Sequence, residues 1–587
     1  MDPDRAELQL CLPQALRADL TAVHARLSVD DTHTLVTVRN LFAFLTGQPL
    51  VATSHHSSLF AILLGIADLL HRFHFTNLDG STLGEDVTIN FAKIVEDHRL
   101  SDVRASREKT VEAIVLGERM RYMPLYNEGF VHGVGKWEDL VQLNSSKLLL
   151  ISSTTRKRME RSTIDLGHRL GTTRKRLNDM DFQTVFAGFA NSTSSSESKI
   201  IDFKAWKASF LSIRQHVMRF YRQKYGDWPP RAKSKKNDFE ESGLNRLALQ
   251  DLYNDFASVY DTLVNRSSLT TRAADVASDH EIENSSDIQT SCIRRILGEY
   301  DVSAIPISPP IPYDVPNLPS LAPVRRDWSL LDAKKQKKEN AKKLQDNEIN
   351  LLLMQSYNRD AVTANPFLVA FMSFERRSAH NKSLNEIRDL RIGQWLLVYA
   401  VLQSLPLLVV DAPGIQYSKG VEYFLCQIPL GSAPWMHESH SRKQSWYNVA
   451  GGTGLVSLPS DVVEHGAEGV YQRSHCWQVA HKWSGKADAE EDAMISSSTS
   501  ADAFSVTDSR QILGPAVPAP FGERSGSMTP TRRHRDSTGI GLEVLPLPQG
   551  VVPQQARPRS TYNPDMSFDK LLGTQQQTDG GKSAKKK

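Results

Sequence analysis

The chain has 587 residues, with 70 lysines and arginines against 67 aspartates and glutamates, a net charge of +3. That length exceeds one ordinary core, so two or three domains plus tails are expected. The near balance of charge argues against a dedicated nucleic-acid binder, whose binding domain would carry a basic excess, and leaves only local basic patches. Four cysteines, Cys11, Cys292, Cys426 and Cys476, lie far apart and form no C-x-x-C pair. A disulfide framework or a cysteine-rich zinc module is therefore not indicated, and a reducing, intracellular compartment fits. No basic segment followed by an apolar run opens the chain, so no signal peptide is expected.

Residues 1–31 are mixed and poorly periodic, and a helical pattern runs from Leu35 to about Arg121. Leu41, Phe42 and Leu45 precede the helix-ending Gly47 and Pro49. Leu59, Ile62, Leu63, Ile66, Leu69, Leu70 and Phe73 then form a stripe at helical spacing. Val87, Phe91, Ile94 and Val95 predict a third helix, and Val111, Ile114, Val115 and Met120 a fourth, capped by Ser106. Short connections favour an antiparallel bundle over 32–150.

Residues 152–190 read as one long helix, with Met159, Leu166, Leu170, Leu177 and Met180 on one seam. Within it Thr154-Thr-Arg-Lys-Arg158 recurs as Thr172-Thr-Arg-Lys-Arg176, an offset of 18 residues. That is five turns at 3.6 residues each, so both basic triplets share a face. Phe203, Trp206, Phe210, Ile213, Val217 and Phe220 predict the next helix over 201–225, ended by Gly226 and Pro229. A third follows over 243–264, entered at Ser242-Gly243, and the three are expected to pack as a long-helix sheaf spanning 151–265.

Residues 266–303 are polar apart from a short amphipathic piece at Ile293, Ile296 and Leu297. Seven prolines between Pro306 and Pro323 read as a linker of polyproline geometry, so 266–331 is taken as a polar and proline-rich connection. Residues 332–348 predict a charged surface helix. Residues 392–410 hold no charge over 19 positions, but Gln394, Gln403, Ser404 and Pro406 argue for a buried helix followed by a strand rather than a membrane span. Glu422–Cys426 reads as a partner strand, which makes 332–483 helical and then mixed α/β. Residues 484–587, rich in Ser, Pro, Gly and Gln, are expected to be disordered. Thr529-Pro530, Ser537 and Ser560 in this tail resemble kinase sites. The fold class is therefore mainly α: a multi-helix bundle with long amphipathic helices, a small α/β unit and a disordered tail.

Catalytic signatures do not emerge. His437-Glu-Ser-His440 has the wrong spacing for a zinc-protease helix, and His465, His475, Cys476 and His481 fit no common metal module. His55, His56, His71 and His74 read as cap and surface residues. Gly129, Gly133, Gly135 and Lys136 suggest a phosphate loop, but the spacing is off by one and Trp137 stands where Ser or Thr is required. Gly451-Gly-Thr-Gly454 is a glycine-rich turn between expected strands. Basic residues with aromatic neighbours follow Trp228, in Pro229-Pro-Arg-Ala-Lys-Ser-Lys-Lys236.

Several long stretches resemble one known family. They are Val38–Leu50, Ser106–Arg119, Leu125-Tyr-Asn-Glu128, the 201–225 region through Ser242-Gly-Leu-Asn-Arg246, and Leu402 to Gly414. Together they resemble filamentous-fungal proteins defined by a domain of unknown function, over roughly residues 30–440. The resemblance implies a fungal source and a helical domain, and it brings no activity, substrate or catalytic residue. The expectation is an intracellular, cytoplasmic or nuclear, non-enzymatic interaction or scaffold protein with unidentified protein partners and no cofactor or metal. The alternatives are a peripheral protein contacting anionic lipid, or an enzyme of unrecognised type. Contacts with a partner or with phosphate are expected at Arg156, Lys157, Arg158, Arg174, Lys175, Arg176, Arg231, Lys233, Lys235 and Lys236.

Overall fold

Serine and asparagine caps set the helix starts, as their short side chains accept the backbone N–H groups that a first turn leaves free. In the computed structural model Ser58, Ser106 and Ser152 each accept the N–H three residues on, at 3.2 Å. The structure describes residues 28–190, 201–270, 285–303, 306–436, 444–449, 455–459, 466–484 and 542–544. The described chain is mainly helical.

The first bundle comprises α1 (Val29–Leu45), α2 (Leu59–Arg72), α3 (Glu85–Asp97), α4 (Arg107–Arg119), α5 (Met123–Gly135) and the short α6 (Trp137–Gln142). Helices α4 and α5 form a tight antiparallel hairpin. Its closeness comes from glycine: a Cβ on Gly117 would lie 2.6 Å from the Tyr126 backbone, and one on Gly129 would lie 2.9 Å from Ile114 N. The glycines that resemble a phosphate loop are thus helix-contact residues.

The expected single helix over 152–190 is two. Helix α7 (Ser153–Asn178) ends before Met180, whose φ of 48° breaks the ladder, and α8 (Gln183–Ala190) follows. Arg214 Nε takes the freed Asp179 carbonyl at 2.6 Å. The next helix, α9 (Phe203–Tyr225), buries Trp206, Phe210, Ile213 and Val217 as the spacing predicts, and stops at the left-handed Gly226. Helix α10 (Arg246–Leu263) begins at Asn245, not at Ser242-Gly243, because Asn245 Oδ1 accepts the Ala248 N–H at 2.9 Å.

Helix α11 (Ser285–Val302) precedes the proline tract. After it come α12 (Ala333–Asn340), α13 (Asp346–Gln355), α14 (Pro366–Ala379) and α15 (Leu384–Ser404). Helix α9 lies along α15 so closely that a Cβ on Gly393 would sit 2.4 Å from Trp206 O. Every residue of α15 from Leu390 to Gln403 is buried. The uncharged run is therefore the central core helix. The stretch Leu384–Val409 is long and apolar enough to cross a membrane, yet 94% of its apolar window is buried inside the protein.

The proline tract is not a spacer. It lies along α15 as a strap, with Ile311, Tyr313, Val315 and Leu321 buried. Arg388, Arg391, Trp395 and Gln403, which recur on one face of α15, donate to the carbonyls of Pro319, Asn317, Asp314 and Pro309 at 2.7–2.9 Å. The geometry follows from proline chemistry: a proline has lost its N–H donor and keeps its carbonyl, so a helix face rich in donors is the matching surface.

Two strand expectations are corrected. Leu407–Val410 does not extend; Pro406–Val409 forms a further helical turn, α16, because proline is well suited to a first helical position. Glu422–Cys426 joins none of the described strands, and Tyr423 within it lies in a bend. Its carbonyls instead accept from Arg246 N and Ala412 N. Strands β1 (Gln444–Val449) and β2 (Leu455–Pro459) form an antiparallel pair, and β3 (Leu542–Val544) adds to β1. Helices α17 (Ala467–Gln472) and α18 (His475–Trp483) close the described body. One apolar cluster runs from Leu41 to Ala480.

Asp389 on α15 accepts Trp206 Nε1 at 2.8 Å, and burial pushes its carboxyl up to about 6. The folded state therefore holds this proton more tightly than the unfolded chain does. Its charge costs stability above pH 6, and the cost is relieved as pH falls from about 7 towards 4. Asp389→Asn keeps an acceptor for Trp206. It should raise stability at pH 8 by about 2 kcal/mol, with the gain vanishing below pH 4, as read from melting temperature against pH. An equal gain at both ends would overturn this assignment.

Candidate functional site

The first turn of α7 is held from beneath. The Glu118 carboxylate on α4, 8% exposed, accepts Ser152 N at 3.0 Å, the Ser152 hydroxyl at 2.6 Å and the Thr155 hydroxyl. A negative group at a helix N-terminus also complements the helix dipole. The Tyr126 hydroxyl, pushed up to about 12 by burial, bonds Thr155 at 3.0 Å. Ahead of α7 runs a 3-10 turn, Ser146–Leu150, pinned by Lys147, which pairs with Glu108 at 2.6 Å and with Glu112 and lies over the Phe60 ring.

This pinning turns Leu149 outward, 75% exposed, beside Val141 of α6 at 50%. Trp137, Val141, Leu148, Leu149, Arg156 and Glu160 line an open cavity of about 550 Å³. A neighbouring cavity of about 440 Å³ shares Leu149, Arg156 and Glu160 and adds Ile151 and Lys157. The two together make a groove with an apolar floor and an edge on which Arg156 and Lys157 outnumber Glu160. Arg156 is fixed at that edge by donating to Leu148 O at 2.8 Å. Lys157 and, one turn on, Arg161 stand exposed. Such a surface can hold the apolar face of an amphipathic segment while its edge meets carboxylates.

The repeated triplets do share a face: Thr155 and Thr173 both point inward, and Lys157 and Lys175 both point out. Their arginines are largely engaged. Arg158 donates to Ser432 O at 2.8 Å, Arg174 to Ser242 Oγ at 2.9 Å, and Arg176 lies over the Tyr300 ring. The 18-residue offset along α7 separates the triplets by about 27 Å. Only the first borders the groove, whereas the second sits beside the 230–243 loop. In that loop Arg231 pairs with Asp227 at 3.0 Å and Lys236 donates to Gln223 O at 3.0 Å. Lys233 and Lys235 are exposed. Trp228 is buried on Tyr221 and donates to Leu177 O at 2.8 Å, so it offers no stacking surface.

Sequence reasoning missed Trp137, Val141 and Leu149, because a six-residue helix and a 3-10 turn are too short to show a period. The available signal was Leu148-Leu-Leu150, a run of three that one short turn cannot bury entirely.

Lys136, at the end of the glycine row, donates to Val103 O and Arg104 O, and burial lowers its amine to about 8. Nearby, Glu128 accepts Gln416 N and Tyr417 N at 2.9 and 3.0 Å, and His132 Nδ1 bonds the Tyr423 hydroxyl at 2.6 Å, anchoring the 411–428 segment. Of the expected surface histidines, His55 and His56 cluster with His33, and His71 Nε2 bonds Arg119 O. His475 pairs with Asp261 beside the buried Cys476. Among the described residues no group of three or more His, Cys, Asp or Glu converges as a metal site. His437, His440, His465, Gly451–Gly454 and the tail sites Thr529, Ser537 and Ser560 lie outside the described residues.

No curated protein and no solved structure matches the chain. Residues 88–182, which contain every groove residue and the Glu118 support, match the family model of a domain of unknown function, DUF8004.

Proposed function

We propose that this is a non-enzymatic protein-interaction protein, intracellular and of a filamentous fungus, and that the groove between α6, the 3-10 turn and α7 is its docking site. The occupant is an amphipathic helical segment with acidic residues along one edge. The observation that carries this reading is an exposed apolar floor, Leu149 and Val141, beside the cationic edge of Arg156 and Lys157. The apolar contact would supply affinity and the charges would supply orientation. An intracellular setting is supported by two buried free thiols, Cys426 and Cys476. The alternative, an anionic-membrane contact, is less well supported because Arg158, Arg174 and Arg176 are engaged within the chain.

A labelled 15-residue acidic amphipathic helix should bind saturably by fluorescence anisotropy. Lys157→Glu should weaken binding by about threefold, more at low salt, and Leu149→Asp should weaken it by tenfold or more. Absence of saturable binding would reject the docking reading. Co-sedimentation with anionic vesicles that Lys157→Glu and Lys175→Glu abolish, without peptide binding, would establish the lipid alternative.

A further inference from the structure

The groove has a matching segment within this chain. Outside the described residues, Asn563-Pro-Asp-Met-Ser-Phe-Asp-Lys-Leu-Leu-Gly573 has the local signals of a short helix: Asn before Pro at the start and Gly at the end. At 100° per residue, Pro564, Phe568, Leu571 and Leu572 fall on one face, at i, i+4, i+7 and i+8. Asp565 and Asp569 fall together on one edge of that face. An apolar face with one acidic edge is the complement of an apolar floor with one basic edge.

Charge separates this segment from the other end of the chain. The N-terminal segment also carries apolar residues, Leu16, Leu20, Val23 and Leu27, but Arg17 and Arg26 outnumber Asp19 there and would oppose Arg156 and Lys157. Pro564 lies 20 positions beyond Val544, the last described residue, and 20 extended residues reach at most about 65 Å.

We propose that the α6–α7 groove is occupied by the chain's own Pro564–Leu572 segment, so that an outside partner must displace it. This rests on the docking reading above and goes beyond it by naming the resident occupant. A tethered ligand competes at an effective concentration in the millimolar range for a short linker, and a labelled free peptide measures that competition.

The experiment uses the full chain, wild type and Phe568→Asp/Leu572→Asp, titrated against a labelled peptide of residues 561–574 and, in parallel, against the unrelated acidic helix. The substitutions lie outside the described residues. The expected result is that both peptides bind the double variant at least about tenfold more tightly than wild type. Leu149→Asp in the variant background should abolish binding of both. Hydrogen exchange at residues 146–157 should be faster in the double variant than in wild type.

If the 561–574 peptide binds neither chain while the acidic helix binds both equally, the groove docks partners and the tail is not its occupant. If neither peptide binds either chain, both readings fall. If wild-type protection appears only as concentration rises and a dimer forms, the segment comes from a second copy and the intramolecular proposal is overturned.

Discussion

Arg391→Ala should destabilise the protein by about 3–5 kcal/mol, the cost of leaving a buried carboxylate without its partner. Arg391 and Glu375 are both 0% exposed and ion-paired through Arg391 Nε and Glu375 Oε1. The guanidinium also donates to Asn317 O at 2.9 Å and Ser356 Oγ at 3.1 Å, and lies over the Tyr357 ring. The Tyr357 hydroxyl in turn donates to Glu375 at 2.7 Å, and burial raises its pKa well above the ordinary value. One arginine thus ties α15 to α14, to the residues after α13 and to the proline strap. Alanine would strand the Glu375 charge and the Asn317 carbonyl together, besides leaving a cavity. Arg391→Met/Glu375→Gln should recover much of the loss, because the pair is replaced by apolar volume and a neutral acceptor that still serves Tyr357. Urea unfolding of both variants checks this. An Arg391→Ala loss below about 1 kcal/mol, or a double variant no better than the single, would contradict it.

Glu118→Ala is expected to cost about 3 kcal/mol and to loosen the groove specifically. It removes the acceptor for Ser152 N, Ser152 Oγ and Thr155 Oγ1 at once, and a buried donor left unmade costs about 1–3 kcal/mol. The loss is concentrated where α7 begins, so amide exchange at residues 152–157 should accelerate more than exchange in α15. Glu118→Gln keeps one acceptor oxygen, and the two hydroxyls can rotate to meet its amide, so it should lose roughly half as much. Peptide binding to the groove should weaken with Glu118→Ala and persist with Glu118→Gln. Unchanged exchange at 152–157 in Glu118→Ala would show that this carboxylate does not set the helix start.

Both predictions concern residues that no local pattern singles out. Glu118 sits in a run of mixed charge, and Arg391 abuts an apolar stretch where it reads as a flank. Each earns its role from partners distant in sequence: 34 and 37 positions from Glu118 to Ser152 and Thr155, and 74 from Arg391 to Asn317. The docking groove was legible only in part. Arg156 and Lys157 stood out because a five-residue motif recurs, whereas Leu149 became an exposed floor only when Lys147 was pinned to α4.

The longer amphipathic helices, and the side of each that is buried, were legible in the order of the residues alone. Periodicity at Leu59–Phe73, at Phe203–Phe220 and along 243–264 is a property of neighbours on one helix, so the stripe appears before any partner is known. The sequence also settled that Gly129, Gly133 and Lys136 form no phosphate loop. Tertiary structure alone decided the rest. Proline fixes a local backbone angle, but whether Pro306–Pro323 spans solvent or straps the core depends on the donor-rich face of α15 that meets its carbonyls. Likewise, α9 lies against α15 because Gly393 admits the Trp206 backbone, and the arginines of the two triplets part ways because different surfaces lie beneath them. A pattern in sequence specifies a face; what covers that face is a matter of long-range packing.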